Sequence, residues 1–488
     1  MNPQQTLQKY FGFDDFRAGQ LDIIYSILAQ KNTFAILPTG GGKSICFQIP
    51  GLMMSGITLV VSPLISLMKD QVDALLKRDI RATYINSSLK KEEVKKRLKQ
   101  MLQQQYKFVY IAPERLQTAQ FIKVCQQINV SLMAIDEAHC ISMWGHDFRP
   151  EYTRIHLFVN QLTTRPVIAA FTATATKKVR QDIVASLRLN RPRVFLNSFK
   201  RDNLSFHVST CVDRFSQELA LFIILKKYRH QAGIIYTTTQ KKAEYLVELI
   251  KHYRGNNFPI SAYHAGLETN LRTNIQDHFL NNHLQIITAT NAFGMGVDKA
   301  NVRWVIHYQI PGTLENYYQE AGRAGRDRKP ANCYLLFNPT DVEIQKTFID
   351  QSHPDKNDPM RTHQIRQLQQ MIVFAKSSHC RQQSILNYFD EVGGRCDQCD
   401  VCQCTQLKLN YADNQHCQFL LQEKHHFPAQ VLTLKLIQLL SIHRPQTKNE
   451  FLNIPGIGIG WVERWYNQMF RILEKRNAYV NDIETAHN

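Results

Sequence analysis

Lys43 and Ser44 close the run Leu37-Pro38-Thr39-Gly40-Gly41-Gly42-Lys43-Ser44, set between a short apolar stretch and a helical start at Ile45. Such a loop suits phosphate. Glycines let successive backbone N–H groups converge on phosphate oxygens, a helix N-terminus adds partial positive charge, a lysine reaches the β- and γ-phosphates, and a serine hydroxyl ligates Mg²⁺. Thr39, Gly40, Gly42, Lys43 and Ser44 are therefore the expected ATP contacts, although Leu37 replaces the first glycine of the usual pattern. A purely structural glycine turn would share this composition. The second half of a nucleotide site argues against that: Ala134-Ile135-Asp136-Glu137-Ala138-His139 is an apolar strand ending in adjacent carboxylates. Asp136 is expected to hold Mg²⁺, and Glu137 to orient and deprotonate the attacking water. Charge building on the transferred phosphoryl group needs a cation, which Arg323 and Arg326 in Gly322-Arg323-Ala324-Gly325-Arg326 could bring from a facing lobe.

Directly after the carboxylates, Trp144, His146 and Phe148 offer stacking faces and Arg149 a phosphate or base contact. That combination suits single-stranded nucleic acid, and Gly145 and Pro150 argue for a loop. Cys396, Cys399 and Cys402 form two consecutive C-x₂-C steps, with Cys380 upstream on a helical pattern. Four thiolates can close a structural Zn²⁺ site, and the thioredoxin-like context of a redox pair is missing. Cys404 is a spare ligand, so the choice between Cys402 and Cys404 stays open at this stage.

Short β-branched runs must position these groups. Thr33–Leu37, Thr58–Ser62, Phe108–Ala112, Leu132–Asp136 and Val167–Thr172 alternate with helical patterns, which implies βαβ units and a parallel sheet. The pattern restarts with Gly233–Thr237, Ile260–His264, Gln285–Thr290, Trp304–Tyr308 and Cys333–Phe337. The expected architecture is α/β: a first parallel-sheet lobe over 1–200, a second over 201–340, a helical zinc-binding subdomain over 341–409 and a small, mostly helical C-terminal domain over 410–488. In the last, Lys448–Leu452, a turn at Pro455–Gly458, a helix Trp461–Arg476 and a strand-like Ala478-Tyr479-Val480 are compatible with a reduced winged helix. A packing or dimerisation domain fits them equally well. The basic segment Lys90–Lys99 reads as a solvated helix face.

The 488 residues carry a formal charge of +18, which favours a polyanionic partner. The N-terminal residues MNPQQTLQKYFGF do not read as a signal peptide, and no apolar run approaches the ~20 residues of a membrane span. Eleven cysteines with one tight cluster suit a reducing compartment, so a cytoplasmic protein is expected.

These motifs, in this order, resemble a superfamily-two helicase of the RecQ family over roughly Leu7 to Cys402, which implies that the two parallel-sheet lobes are RecA-like. Phe11–Gln20 resembles that family's adenine-recognition motif, which implies that Gln20 reads the base edge with Arg17 in support. Asp136–Pro150 resembles its aromatic-rich loop, which implies coupling of DNA binding to hydrolysis, with Met143 where relatives usually carry Gln. Ser62–Leu67 and Ala112–Leu116 resemble segments that hold the DNA backbone. Thr172–Thr176 resembles the motif linking hydrolysis to movement, and Tyr263–Leu267 with Ala289–Lys299 resembles the second lobe's counterparts. The resemblance thus adds Ser62 and His264 as expected DNA contacts; by residue chemistry alone His264 is equally a core histidine. It implies a 3′ to 5′ DNA helicase of repair and recombination using ATP, Mg²⁺ and Zn²⁺ on single-stranded and forked or tailed duplex DNA. An RNA helicase is disfavoured by His139 and the zinc cluster. A DNA-dependent ATPase that acts as a translocase or clamp without strand separation is the alternative.

Overall fold

The computed structural model describes all residues except 39, 146, 295–298, 405–418, 429–430, 444, 453, 455–456 and 487–488. Its strands fall into two sheets. The first contains β1 (Thr33–Ile36), β2 (Ile57–Val61), β3 (Ala82–Ile85), β4 (Phe108–Ile111), β5 (Val130–Ile135), β6 (Val167–Thr172) and β7 (Arg193–Leu196), in the order β3-β4-β2-β5-β6-β1-β7. The second contains β8 (Leu204–Thr210), β9 (Gly233–Tyr236), β10 (Ile260–Tyr263), β11 (Ile286–Ala289), β12 (Trp304–His307) and β13 (Ala331–Phe337), in the order β10-β11-β9-β12-β13-β8. Adjacent strands pair in parallel, as in β1 with β6 and β9 with β11. Helices cover both faces, so the inner strands β1, β2, β4, β6, β9, β11 and β12 are buried at every position.

The β1–α unit explains the location of the site. β1 ends at Ile36, the chain turns through the glycines, and the helix Lys43–Met53 begins at the top of the sheet. β5 and β6 finish at the same edge, so Asp136 and Thr174 emerge beside the glycine loop. Ligands of parallel sheets bind at these carboxyl ends.

Residues 197–203 connect β7 of one sheet to β8 of the other. Three strands, β3, β7 and β8, were not legible in the sequence. β8 alternates buried and partly exposed residues, and its outer edge is covered by the cysteine-bearing subdomain. There the Asp400 N–H donates to Phe206 O (3.1 Å) and the Val208 N–H donates to Asp400 Oδ2 (3.1 Å). Asp400 is fully buried and pairs with Arg381 Nε at 3.0 Å.

The helices Pro359–Lys376 and Arg381–Tyr388 of this subdomain also reach the first lobe. Arg180 Nη2 donates to Phe389 O (2.6 Å), the Phe199 N–H to Glu391 Oε2 (2.8 Å), and the Phe199 ring stacks on Phe389 at 4.2 Å. The subdomain therefore grips both lobes.

Beyond residue 418 the described chain forms the helices Leu434–His443, Lys448–Leu452 and Ile459–Ala486. The expected strand Ala478-Tyr479-Val480 is instead part of the last helix. Val462, Met469, Ile472 and Leu473 recur at helical spacing on its buried side, and two β-favouring residues, Tyr479 and Val480, without a partner strand do not interrupt that pattern. No strand occurs among the described residues after β13, so a winged-helix hairpin is not among them. Pro455 and Gly456 of the expected turn, and the polar stretch Asn410–His416, lie outside the described residues. Ile437, Phe451 and Met469 share one apolar cluster with Leu219, Phe222 and Tyr253 of the second lobe, so these helices pack on that lobe's outer face.

Candidate nucleotide site and nucleic-acid loop

Leu37, the departure from the glycine pattern, is completely buried and its N–H donates to Thr172 O (3.0 Å). Its side chain anchors the loop in the core, so no glycine is needed there. Gly42 is different. It adopts φ +76°, and a Cβ would stand 2.4 Å from Gln20 Nε2. Gln20 is itself committed to the loop, donating to Gly41 O (3.2 Å) and Gly42 O (3.0 Å) while accepting from the Arg17 N–H (2.8 Å). Arg17 Nη1 donates to Gly40 O. The pair expected at the adenine thus also shapes the phosphate loop. Thr39 lies outside the described residues.

Lys43 Nζ sits 3.0 Å from Glu137 Oε1 and 3.8 Å from Asp136 Oδ1. Burial opposes its charge, but the two carboxylates outweigh burial and raise its pKa. Asp136 is pushed up to about 6 by burial, with Glu137's charge adding and Lys43's subtracting. Burial also acts on Glu137, yet Lys43 and His139 hold it well below the usual carboxylate range. Glu137 is therefore an anion. It occupies the left-handed region at φ 47°, a conformation costly for a non-glycine residue and fixed here by its neighbours. His139 Nδ1 lies 3.3 Å from Glu137 Oε2 and 2.8 Å from Thr172 Oγ1.

A cleft of about 650 Å³ opens over these groups, lined by both sheets. Ser44, Asp136 and Glu137 line it from the first lobe, and Arg323 and Arg326 from the second. Arg323 is 6% exposed and its Nε is buried without a partner, while Arg326 Cγ comes within 3.4 Å of a Cβ position on Gly40. Three cations and two carboxylates thus line one cleft, which leaves it suited to a polyphosphate with its divalent ion. Ser44 and Asp136 offer the oxygen ligands Mg²⁺ prefers. Gln319 Nε2 donates to Thr174 Oγ1 (3.0 Å), and Gln276 Nε2 to Asp70 Oδ2 (3.2 Å), so polar bonds already bridge the lobes.

The loop after Glu137 is tied back onto the turn that carries it. The Arg149 N–H donates to Cys140 O (2.9 Å), the Gly145 N–H to Ser142 O (2.9 Å), and Ser142 Oγ to Asp182 Oδ2 (2.7 Å). A Cβ on Gly145 would lie 2.6 Å from His139 O, which is why a glycine stands there. Arg149 is held by Asp147 (3.3 Å) and Pro63 O (2.9 Å), and Phe148 is partly exposed. Trp144 meets His363 of the helix Pro359–Lys376 edge-on at 5.0 Å, and His363 Nε2 lies 3.2 Å from Trp144 O. Met143 is half exposed, whereas His146 lies outside the described residues.

Ser62 and His264 are placed differently from the loop. Ser62 is buried with an unpartnered hydroxyl, and His264 is 3% exposed with Nε2 3.1 Å from Glu244. In this conformation His264 is a core histidine.

Cys380, Cys396, Cys399 and Cys402 bring their sulfurs within 4.8 Å of one another. A tetrahedral zinc with Zn–S near 2.3 Å needs sulfurs ~3.8 Å apart, close to this spacing. Backbone N–H groups already face the sulfurs: Cys396 N to Cys380 Sγ (3.3 Å), Arg381 N to Cys399 Sγ (3.4 Å) and Cys402 N to Cys399 Sγ (3.5 Å). Such donors stabilise thiolates, so the residues fit the ion. Cys404 is exposed and is not in the group.

Comparison with known proteins matches this geometry. Residues 17–183 fit the DEAD/DEAH box helicase model, 214–328 the helicase conserved C-terminal domain and 339–403 the RecQ zinc-binding model. The ATP-dependent DNA helicase RecQ of Bacillus subtilis is 46% identical over 407 residues, covering 83% of this chain and 67% of that protein. The chain belongs to the RecQ helicase family. The RecQ of Pasteurella multocida is 42% identical over 401 residues, covering 81% of this chain and 61% of its own length. This chain therefore spans about two thirds of the RecQ proteins it matches. Among solved structures, Mycobacterium smegmatis helicase Lhr bound to ssDNA and AMP-PNP shares the fold at a TM-score of 0.56 and 17% identity, over 74% of this chain and 51% of that one.

Within this RecQ frame, sequence reasoning had no role for Thr172 as the partner of His139, for Asp70, or for His363. Gln319 stands three residues before the glycine-arginine run, and its bond to Thr174 depends on how the lobes meet.

Proposed function

We propose that this chain is an ATP- and Mg²⁺-dependent DNA helicase of RecQ type that moves 3′ to 5′ along one strand in repair or recombination. The observation that carries this reading is the continuity between Glu137 and the aromatic loop. Arg149 and Gly145 bind back to the turn at Cys140 and Ser142, so a strand that pulls on Trp144 or Phe148 also pulls on the base.

The residues divide the work. Lys43 and the glycine loop bind the β- and γ-phosphates, Ser44 and Asp136 hold Mg²⁺, and Glu137 accepts the proton of the attacking water. Mg²⁺ neutralises charge on the phosphate oxygens when bound. Arg323 and Arg326 approach from the second lobe, which makes full activity depend on closure. Glu137 is joined through His139 and Thr172 to the segment holding Thr174, on which Gln319 rests, so closure and base position are linked by hydrogen bonds. Zn²⁺ on the four cysteines has a structural role, since four protein ligands leave no open position. The free thiols fit a cytoplasmic setting, and no helix among the described residues is long and apolar enough to cross a membrane.

A relative in Acanthamoeba polyphaga mimivirus, 38% identical over 402 residues, is named a putative RNA helicase. ATP turnover measured with single-stranded DNA and with RNA of the same sequence separates the readings. Stimulation several-fold greater by DNA is expected; stimulation by RNA alone would overturn the assignment.

A further inference from the structure

The outer edges of the two sheets are treated unequally. β8 is covered by Asp400 and Gln398, and β3 receives Arg97 Nη1 on Tyr84 O (2.7 Å). β7 pairs with β1 alone. The Arg193 and Asn197 N–H groups donate inward to Asn32 O (2.8 Å) and Ile36 O (3.0 Å), so strand alternation turns those of Val194 and Leu196 outward. No hydrogen bond reaches them among the described residues.

The same strand carries exposed apolar side chains. Val194 is 50% and Leu196 53% exposed, on one face of the sheet. In register, Ala170, Phe34 and Val194 form a row across β6, β1 and β7. Beyond Phe34 and Val194 lies an open groove of about 470 Å³, walled by Val184, Ala185 and Leu189. Arg188 lines it, Arg165 donates to Arg188 O (3.3 Å), and Arg191 stands in the turn before β7; all three are exposed, and none forms an ion pair among the described residues.

We propose that β7 and this groove receive an extended segment of a partner protein in which apolar residues alternate with Asp or Glu. The segment adds a strand at Val194 and Leu196, puts alternate apolar side chains into the groove, and meets the arginines with its acids. Charge complementarity selects this occupant. A second copy pairing β7 to β7 would set arginines against arginines. DNA would answer the arginines but leave Val194, Leu196 and the groove unmatched.

The test uses the full chain and a short fluorescent peptide alternating isoleucine with glutamate, beside a lysine-for-glutamate control. Anisotropy should show binding of the glutamate peptide only. Val194→Pro removes an outward donor without touching the ladder to β1, and the double change Arg165→Glu with Arg188→Glu reverses the rim. Each should weaken binding on the order of tenfold while DNA-stimulated ATPase stays unchanged. The proposal is overturned by absence of glutamate-peptide binding, by equal affinity in the variants, by displacement of the peptide with single-stranded DNA, or by a wild-type dimer that Val194→Pro dissociates.

Discussion

Lys43→Ala is expected to lower DNA-stimulated ATP turnover by on the order of a thousandfold, because the lost ammonium acts on charge that develops in the transition state. Two effects combine. The phosphates lose their principal first-lobe cation, and Asp136 and Glu137 lose the group that stands 3.8 and 3.0 Å from them. With no lysine between them, two buried carboxylates repel, and one takes up a proton. Asp136, already pushed up to about 6 by burial, is the one that takes it, and the anion that would hold Mg²⁺ is lost. DNA binding without nucleotide should persist, since Trp144, Phe148 and Arg149 do not touch Lys43. Turnover by coupled assay, and DNA affinity by anisotropy, check the two halves. Full hydrolysis in the variant would remove this site from the account.

Cys399→Ser should abolish stoichiometric zinc and loosen both lobes. Structural zinc sites contribute on the order of 10 kcal/mol to folding of small domains, so loss of one thiolate outweighs any single contact in the subdomain. The consequence travels through Asp400, the next residue, which bonds to Phe206 and Val208 on β8 and pairs with Arg381. It also reaches Phe389 and Glu391, which hold the first lobe at Arg180 and Phe199. Metal analysis should show about one zinc per wild-type chain and almost none in the variant. Limited proteolysis should cut the variant within the subdomain while the wild type resists. Retained zinc and unchanged proteolysis would show that Cys399 is not a ligand.

Much of this arrangement was legible in residue order. Glycines before Lys43, paired acids after an apolar strand, and the cysteine spacing each specify local chemistry that survives any packing. Fully buried strands such as β2 and β6 also stand out, because both faces are apolar. β7 did not, since it is short, arginine-bearing and exposed, which gives neither alternation nor a continuous apolar run. Ala478–Val480 misled for the opposite reason: β-favouring residues sit inside a helix whose buried stripe decides the conformation. The bonds between domains were hidden altogether. His363 meeting Trp144, and Gln319 meeting Thr174, are products of tertiary placement across 219 and 145 residues. Gln20 illustrates a mixed case, with its position in a motif visible but its grip on the glycine loop not.

The C-terminal helices raise the main question about mechanism. They lie on the outer face of the second lobe and, among the described residues, contain no strand to serve as a wedge. On the proposed function, the two lobes, the aromatic loop and the subdomain that holds them take part in strand separation. The most direct test is displacement of a labelled strand from a forked duplex with a 3′ tail, with and without ATP, alongside hydrolysis in the same tube. The account predicts displacement only with ATP, and none from the equivalent 5′-tailed duplex. Vigorous DNA-stimulated hydrolysis without displacement would contradict it and identify a translocase or clamp.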